Sequence, residues 1–302
     1  MAQTSHLAAT GERTEAMFRI VKRRELTPVT KLFVVEAPMV AKKALPGQFV
    51  IVRITESGER IPLTIADYDA GAGTVTIVVQ EVGKTSRLLG ALREGDRILD
   101  FVGPLGKPAP LIDRGLVVLV GGGFGVAPIY PIAKALRAKG VKVVSIIGAR
   151  TKDLLILEEE MRGVSDELLV ATDDGSKGHK GFVTDVLKQL IDEGRKIDQV
   201  IAIGPMVMMR AVARTTEPYK LKTLVSVDPI MVDGTGMCGA CRLTVGGEVK
   251  FACVDGPIFD AHEVDFDEAV RRGRMYLPEQ ELAVKRMESS CAGGGCTCGG
   301  GH

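Results

Sequence analysis

The sequence predicts a multi-domain β + α/β protein: a small antiparallel β-barrel, a doubly wound five-stranded parallel α/β domain, and a small cysteine-rich C-terminal domain. Three observations carry this. Short alternating segments broken by turns run from Met17 to about Pro110. Near-continuous apolar runs alternate with amphipathic stretches from Leu116 to Asp228. All six cysteines lie between Cys238 and Cys298. The expected limits are 17–110, 111–228 and 229–270, with a helix and a Gly/Cys-rich tail at 271–302.

In the first segment "FRIVKRREL", "TKLFVVEA", "QFVIVRI", "TVTIVVQEV" and "DRILDFVG" read as strands, with "LPGQ", "DAGAG" and "EGD" as turns. Strands at this spacing suggest a small antiparallel barrel. Its single helical stretch is "TSRLLGALR". In the second segment "LVVLVG", "VKVVSIIG", "ELLVATD", "QVIAIG" and "KTLVSVD" are β-branched runs separated by helices, including "LLILEEEMRG", the pattern of a parallel sheet covered on both faces. Gly140 and Gly194 stand where helix C-terminal glycines belong. The Gly- and Cys-rich stretch 229–260 is poor in apolar residues and is expected to need a bound ion.

Composition excludes several functions. With 302 residues, 25% charged, 45% hydrophobic and a net charge of +1, the chain has neither a nucleic-acid footprint nor a polybasic membrane segment. The N-terminal "MAQTSHLAATGERTEA" does not read as a signal peptide. The uncharged run Gly115–Ala133 is broken by glycines and two prolines, and reads as strand, loop and helix rather than a membrane span. A cytoplasmic protein is expected. There, cysteines confined to one end favour metal binding over disulfides.

Four groups of residues carry chemistry. In "VVLVGGGFGVAP" the glycines 121, 122, 123 and 125 join a strand to a helix with Pro128 early in it. Such a turn lets phosphate oxygens approach backbone N–H groups and a helix N-terminus; the plain structural reading is a tight turn. Arg150 in "GAR" is placed to meet a ribose or its phosphate, or is a solvated strand-end charge. "ATDDGSKGHKGFVTD" and "IGPMVMM" end strands on the same edge, where ligands of open α/β sheets sit. In the barrel, Thr64 of "RIPLTIADYD" can hydrogen-bond a flat heterocycle or serve only as a β-former. Gly83, Lys84, Thr85 and Ser86 open the helix in a manner suited to a pyrophosphate, though Thr85 also fits as an N-cap.

The fourth group is "DGTGMCGACRLTVGGEVKFAC". Cys238, Cys241 and Cys253 fit zinc or an iron–sulfur cluster. Five positions before Cys238 lies Asp233, a carboxylate that can bind iron and complete the set. Alternatively Asp233 starts an Asx-turn and His262 or a tail cysteine is the fourth ligand. The tail itself offers Cys291, Cys296, Cys298 and His302.

Taken in order, "PLT", "GKTS", "GGGFGVAP", "GAR", "TDDGS", "GPMVMM" and "DGTGMCGAC…FACVDGP" resemble the ferredoxin–NADP reductase-like flavoproteins. More narrowly they resemble the group holding the dihydroorotate dehydrogenase B electron-transfer subunit and the small subunit of electron-bifurcating NADH-dependent ferredoxin–NADP oxidoreductase, also known as a sulfide dehydrogenase subunit. The resemblance covers about residues 17–265. It implies an FAD-binding barrel, an NAD(P)-binding domain and a 2Fe-2S domain. Arg60, Pro62, Leu63, Thr64, Gln80, Gly83, Lys84, Thr85 and Ser86 would hold FAD. Gly122, Gly123, Gly125, Val126, Pro128, Arg150, Asp174, Gly204, Pro205 and Met208 would line the NAD(H) cleft, NADP(H) being possible. Asp233, Cys238, Cys241 and Cys253 would bind the cluster.

The sequence departs from the family twice. Ile61 stands where the family usually has Arg, with Arg60 one position earlier, and a one-residue shift in a strand turns a side chain to the other face. Asp233 stands where the dihydroorotate-type subunits carry Cys, which the resemblance associates with the bifurcating branch. No catalytic acid or base is implied. The expected function is an FAD and 2Fe-2S electron-transfer subunit that exchanges hydride with NAD(H) and passes single electrons to a larger flavin/iron–sulfur subunit, at least as a heterodimer. The alternatives are an electron-transfer subunit of dihydroorotate dehydrogenase B or of a cytoplasmic hydrogenase, and, in a different class, a zinc-stabilised nucleotide-binding module.

Overall fold

The computed structural model describes residues 17–292. Seven strands form the first sheet: β1 (Phe18–Thr27), β2 (Thr30–Glu36), β3 (Phe49–Arg53), β4 (Ile61–Asp69), β5 (Thr74–Gln80), β6 (Arg97–Ile98) and β7 (Asp100–Leu105). Their order is β6-β1-β2-β5-β4-β3-β7, and every neighbouring pair is antiparallel. Register shifts at Ile20/Lys22, Phe49/Ile51 and Ile65/Asp67 bend the strands, so the sheet curls into a near-barrel around Ile20, Phe33, Ile65 and Ile77. Two helices belong to it, the single-turn α1 (Pro38–Ala41) and α2 (Lys84–Ala91).

Alternation along β3 decides much of the architecture. Successive strand side chains point to opposite faces. Val50 and Val52 enter the barrel interior, whereas Phe49 and Ile51 enter a different apolar cluster outside it. That is why "FVIV" reads as an unbroken apolar run although its strand lies in an antiparallel sheet.

The second sheet contains β8 (Leu116–Gly122), β9 (Lys142–Ala149), β10 (Glu167–Thr172), β11 (His179–Lys180), β12 (Gln199–Ile203) and β13 (Thr223–Ser226). They are parallel in the order β11-β10-β9-β8-β12-β13. Helices α3 (Val126–Ala138) and α4 (Glu158–Gly163) cover one face, α5 (Val183–Asp192) and α6 (Met206–Thr216) the other. The helical stretch expected from Leu154 begins only at Glu158, because Leu157 takes a left-handed φ of 53° and turns the chain there. The barrel meets α3 through buried Ala66, Val78 and Ala109. Lys134 of α3 and Asp67 of β4 pair at 2.7 Å across this seam. Both side chains are partly exposed, so Asp67→Asn should cost no more than about 1 kcal/mol and lose its effect in high salt, read by denaturant titration.

The cysteine segment forms a hairpin, β14 (Arg242–Val245) and β15 (Glu248–Phe251), then α7 (Ala252–Asp255) and β16 (Ile258–Asp260). β16 pairs antiparallel with β13, adding a seventh strand to the five long parallel ones and the short β11. The segment is less dependent on an ion than its composition suggests. Cys241, Leu243, Val245, Cys253, Phe259 and Phe266 are buried in one cluster with Phe49 and Ile51 of the barrel. Two more helices follow, α8 (Phe266–Gly273) and α9 (Leu277–Ala292), with Glu288 of α9 paired to Arg87 of α2 at 2.6 Å. Among the described residues no helix is long and apolar enough to cross a membrane.

Candidate functional site

The fold presents three candidate binding regions. The first is the carboxyl edge of the parallel sheet. Strand order departs in opposite directions from β8, to β9 on one side and β12 on the other, and ligands of open α/β sheets bind at such a switch point. Gly121 is paired with Ile203, so the turns after β8 and β12 lie side by side. Their glycines serve close packing: a Cβ on Gly125 would overlap Ile203 O, and one on Gly122 would overlap Met208 Sδ. A Cβ on Gly204 would stand 2.8 Å from Met208 Cε. Gly123 differs. It has φ +53° and nothing within 4 Å of where its Cβ would be, which is room for a ligand against the backbone. α3 begins there at Val126 with no side chain capping its N–H groups, and with Pro128 in its first turn.

Arg150 and Asp174 come together through the backbone. Asp174 N–H donates to Arg150 O at 3.2 Å, and Lys152 N–H donates to Ser176 Oγ at 2.8 Å, binding the loops after β9 and β10 to each other. Asp174 Oδ1 accepts from Ser176 Oγ and N at 2.7 and 2.9 Å, and these bonds hold its carboxyl below the usual range. Pro205 caps α6 one residue after Gly204.

The second region is the outer face of the barrel. Thr64 is the cross-strand partner of Phe49, and Pro62 of Ile51. Directly opposed residues of an antiparallel pair lie on one face. Pro62 and Thr64 therefore share the outer face with the two β3 residues that pack on the cysteine segment, while Leu63 turns inward and is buried. Arg60 lies exposed just before β4, and Gln80 is exposed at the end of β5. At α2 the hydroxyls are already engaged: Ser86 Oγ accepts from Gly83 N and Val82 N at 2.8 and 3.0 Å, and Thr85 Oγ1 donates to Glu59 Oε2 at 2.7 Å. Gly83 has only Ser86 Oγ, at 4.0 Å, near the place of a Cβ, and Lys84 is half-buried. A diphosphate docked here would find helix N–H groups and an ammonium, with Glu59 competing for Thr85. No sequence signal links Glu59 to Thr85, 26 residues away.

The third region is the cysteine loop. Cys241 Sγ and Cys253 Sγ are 3.2 Å apart and buried. Cys253 N–H points at Cys241 Sγ at 3.5 Å, and the Gly236 N–H at the Cys253 sulfur. Gly234, Gly236 and Gly239 all take left-handed φ values, 75°, 85° and 67°, which glycine adopts without a Cβ penalty. Burial, then the neighbouring Cys241, pushes the Cys253 thiol up to about 12. Two adjacent thiolates in such a place need bound positive charge, so the donor set suits a metal centre. Asp233 makes the Asx-turn: Oδ1 accepts from Thr235 N and Oδ2 from Cys238 N, both at 2.9 Å. It thereby holds the loop that carries exposed Cys238. The candidate ligands form two pairs, Cys241 with Cys253 and Asp233 with Cys238; among the described residues they are not gathered into one shell. His262 is engaged elsewhere, its Nε2 3.0 Å from Thr216 Oγ1. The tail candidates Cys291, Cys296, Cys298 and His302 fall outside the described residues and side chains.

Residues 228–265 match the iron–sulfur cluster binding domain of dihydroorotate dehydrogenase B, and residues 119–214 the oxidoreductase NAD-binding domain. A Thermotoga maritima protein named as a homologue of the dihydroorotate dehydrogenase B (NAD(+)) electron transfer subunit is 49% identical, over 90% of this chain and 96% of its own. The electron transfer subunit of Geobacillus thermodenitrificans is 37% identical, over 81% and 96%. A solved structure from work on flavin-based electron bifurcation by NADH-dependent reduced ferredoxin–NADP oxidoreductase superposes with a TM-score of 0.85 at 48% identity, covering 90% of this chain and 98% of that one.

Proposed function

The chain belongs to the family of dihydroorotate dehydrogenase B electron transfer subunits and their homologues, and we propose that within it the chain is the FAD and 2Fe-2S subunit of an NADH-dependent ferredoxin–NADP oxidoreductase. It is an NAD(P)H-dependent oxidoreductase subunit that works with a partner subunit. The finer reading is a cytoplasmic heterodimer or higher assembly with a larger flavin/iron–sulfur subunit, divided at residues 17–110, 111–228, 229–270 and 271–302.

One observation carries the reading. The outer face of the barrel presents Pro62 and Thr64 on β4 beside Phe49 and Ile51 on β3, and the latter two belong to the same buried cluster as Cys241 and Cys253, with Ile51 against Gly234 of the cysteine loop. A flavin against β4 and a cluster at the cysteines are then separated by one strand. FAD accepts a hydride and gives up electrons one at a time, and a 2Fe-2S centre carries single electrons. The protein's part is to hold and orient. Arg60, Pro62, Thr64, Gln80 and Gly83–Ser86 would hold the FAD, with Leu63 offering only its backbone because its side chain turns into the barrel. Gly122, Gly123, Gly125, Val126, Pro128, Gly204, Pro205 and Met208 seat the nicotinamide nucleotide, with Arg150 and Asp174 at its ribose. An ionised Asp174 suits a free 2′-hydroxyl better than a 2′-phosphate, which supports NAD(H). Asp233, Cys238, Cys241 and Cys253 would bind the cluster.

Anaerobic purification with partner identification, then NADH reduction followed optically, tests this. A yellow-brown protein bleached by NADH supports it; a colourless protein with stoichiometric zinc overturns it. The match over residues 228–265 favours a second reading, the electron transfer subunit of dihydroorotate dehydrogenase B, and a co-purifying partner that oxidises dihydroorotate would establish that instead. Carboxylate donates less electron density to iron than thiolate, so Asp233→Cys is expected to lower the cluster potential in a redox titration followed by EPR. An unchanged potential with an intact cluster would remove Asp233 from the ligand set.

A further inference from the structure

Asp228 follows β13 at the carboxyl edge of the parallel sheet. Its neighbour Val227 donates to Pro257 O at 3.0 Å. Pro257 lies in the turn leading to β16, and a Cβ on Gly106 would stand 2.9 Å from both Pro257 Cδ and Phe49 Cε1. Phe49 is the cross-strand partner of Thr64. Asp228 thus stands where the sheet edge, the cysteine segment and the outer face of the barrel converge, yet none of the roles above uses it.

Its surface is open to solvent, and still burial pushes its carboxyl up to about 6, opposed only by its own backbone N–H. Both hold for a group wetted from one side and enclosed by protein on the others. The adjoining segments carry three charged residues. Asp255 accepts from Phe251 N, Asp233 spans Thr235 N and Cys238 N, and Lys107 is exposed. The turn 203–208 beside it carries no charge. Among the described residues no side chain pairs with Asp228. An uncompensated carboxylate is costly in such a place.

We propose that Asp228 is a proton-linked positioning group for the flavin: its carboxylate binds one proton from solvent when a flavin held against β4 gains negative charge, and releases it on reoxidation. This rests on the FAD reading above. The proton forms an O–H bond on the carboxylate, the nicotinamide nucleotide supplies the electrons, and no other oxidant or reductant enters. Like charges disfavour each other's ionised forms, so the carboxyl keeps its proton to higher pH when the flavin is reduced.

The test is the pH dependence of the flavin midpoint potential, measured by spectroelectrochemistry on the FAD-loaded full chain. Above about pH 6 the wild-type potential should fall with one more proton per two electrons than that of Asp228→Asn. That is a further tenfold per pH unit, or about 30 mV. Asp228→Glu, which keeps the carboxyl group, should restore the slope. Equal slopes in wild type and Asp228→Asn overturn the proposal. Should Asp228→Asn fail to retain FAD, proton uptake by the wild type on stoichiometric reduction decides: an excess over free FAD supports it, and uptake equal to free FAD overturns it. A wild-type chain that takes up no FAD would overturn the FAD reading itself, and this proposal with it, so the two failures are distinguishable.

Discussion

Cys253→Ser is expected to yield a protein that keeps its flavin and loses its iron. Cys253 is 2% exposed, it touches Cys241 at 3.2 Å, and the Gly236 N–H points at its sulfur. Serine puts a hydroxyl, a far weaker acid than a thiol, into a pocket arranged for two thiolates, and removes the larger atom that fills it. Electron delivery to the partner should fall by more than the roughly 100-fold that loss of an outer-shell contact costs a metal site. Reduction of the flavin by NADH uses none of these atoms and should persist. Iron content, the visible spectrum and NADH-driven bleaching of the flavin measure the two halves separately. Retained iron with an unchanged spectrum would take Cys253 out of the site.

Gly125→Ala and Gly123→Ala form the second pair of large effects, and they should differ in kind. At Gly125 the methyl would overlap Ile203 O and lie 2.7 Å from Gly204 Cα, so backbone must move between β8 and β12. Overpacking of this type costs about 1–3 kcal/mol, and rigid backbone neighbours place it at the upper end. Thermal unfolding should show the loss with or without nucleotide. At Gly123 the methyl meets nothing, and the left-handed φ of 53° alone costs about 1–2 kcal/mol. The fold should survive while the KM for NADH rises, because the methyl fills the open space beside the backbone. An unchanged KM would mean that the nucleotide lies elsewhere.

Much of the architecture was legible because its signals are local. The β-branched runs from Leu116 onward, the left-handed glycines 140 and 194, and the strand–turn–helix around Gly121–Pro128 each follow from a dozen residues or fewer. The candidate ligands were legible as a motif, but not their division into two pairs, Asp233 with Cys238 and Cys241 with Cys253, which depends on how the loop folds. What escaped the sequence depends on distant contacts. Nothing in "FVIVR" says that Phe49 and Ile51 leave the barrel to join the buried cluster of the cysteine segment nearly two hundred positions later. Thr85 reads as a phosphate ligand or cap until Glu59 is seen accepting its hydroxyl. Asp228 reads as the end of a strand, and its place beside the cysteine segment emerges only when Val227 is seen bonded to Pro257, which in turn neighbours Gly106.

The antiparallel addition of β16 to β13 has a consequence for how the chain can be divided. Without β16, the row Thr223–Ser226 would end the sheet with unpaired amides and carbonyls on a short, buried, uncharged strand. Such a margin recruits other chains. The last sheet strand of the nucleotide-binding unit is thus supplied by residues beyond its own cysteine loop. A fragment cut near residue 228 would carry an adhesive edge, and the reductase and its electron outlet are in this sense one folding unit rather than beads on a string.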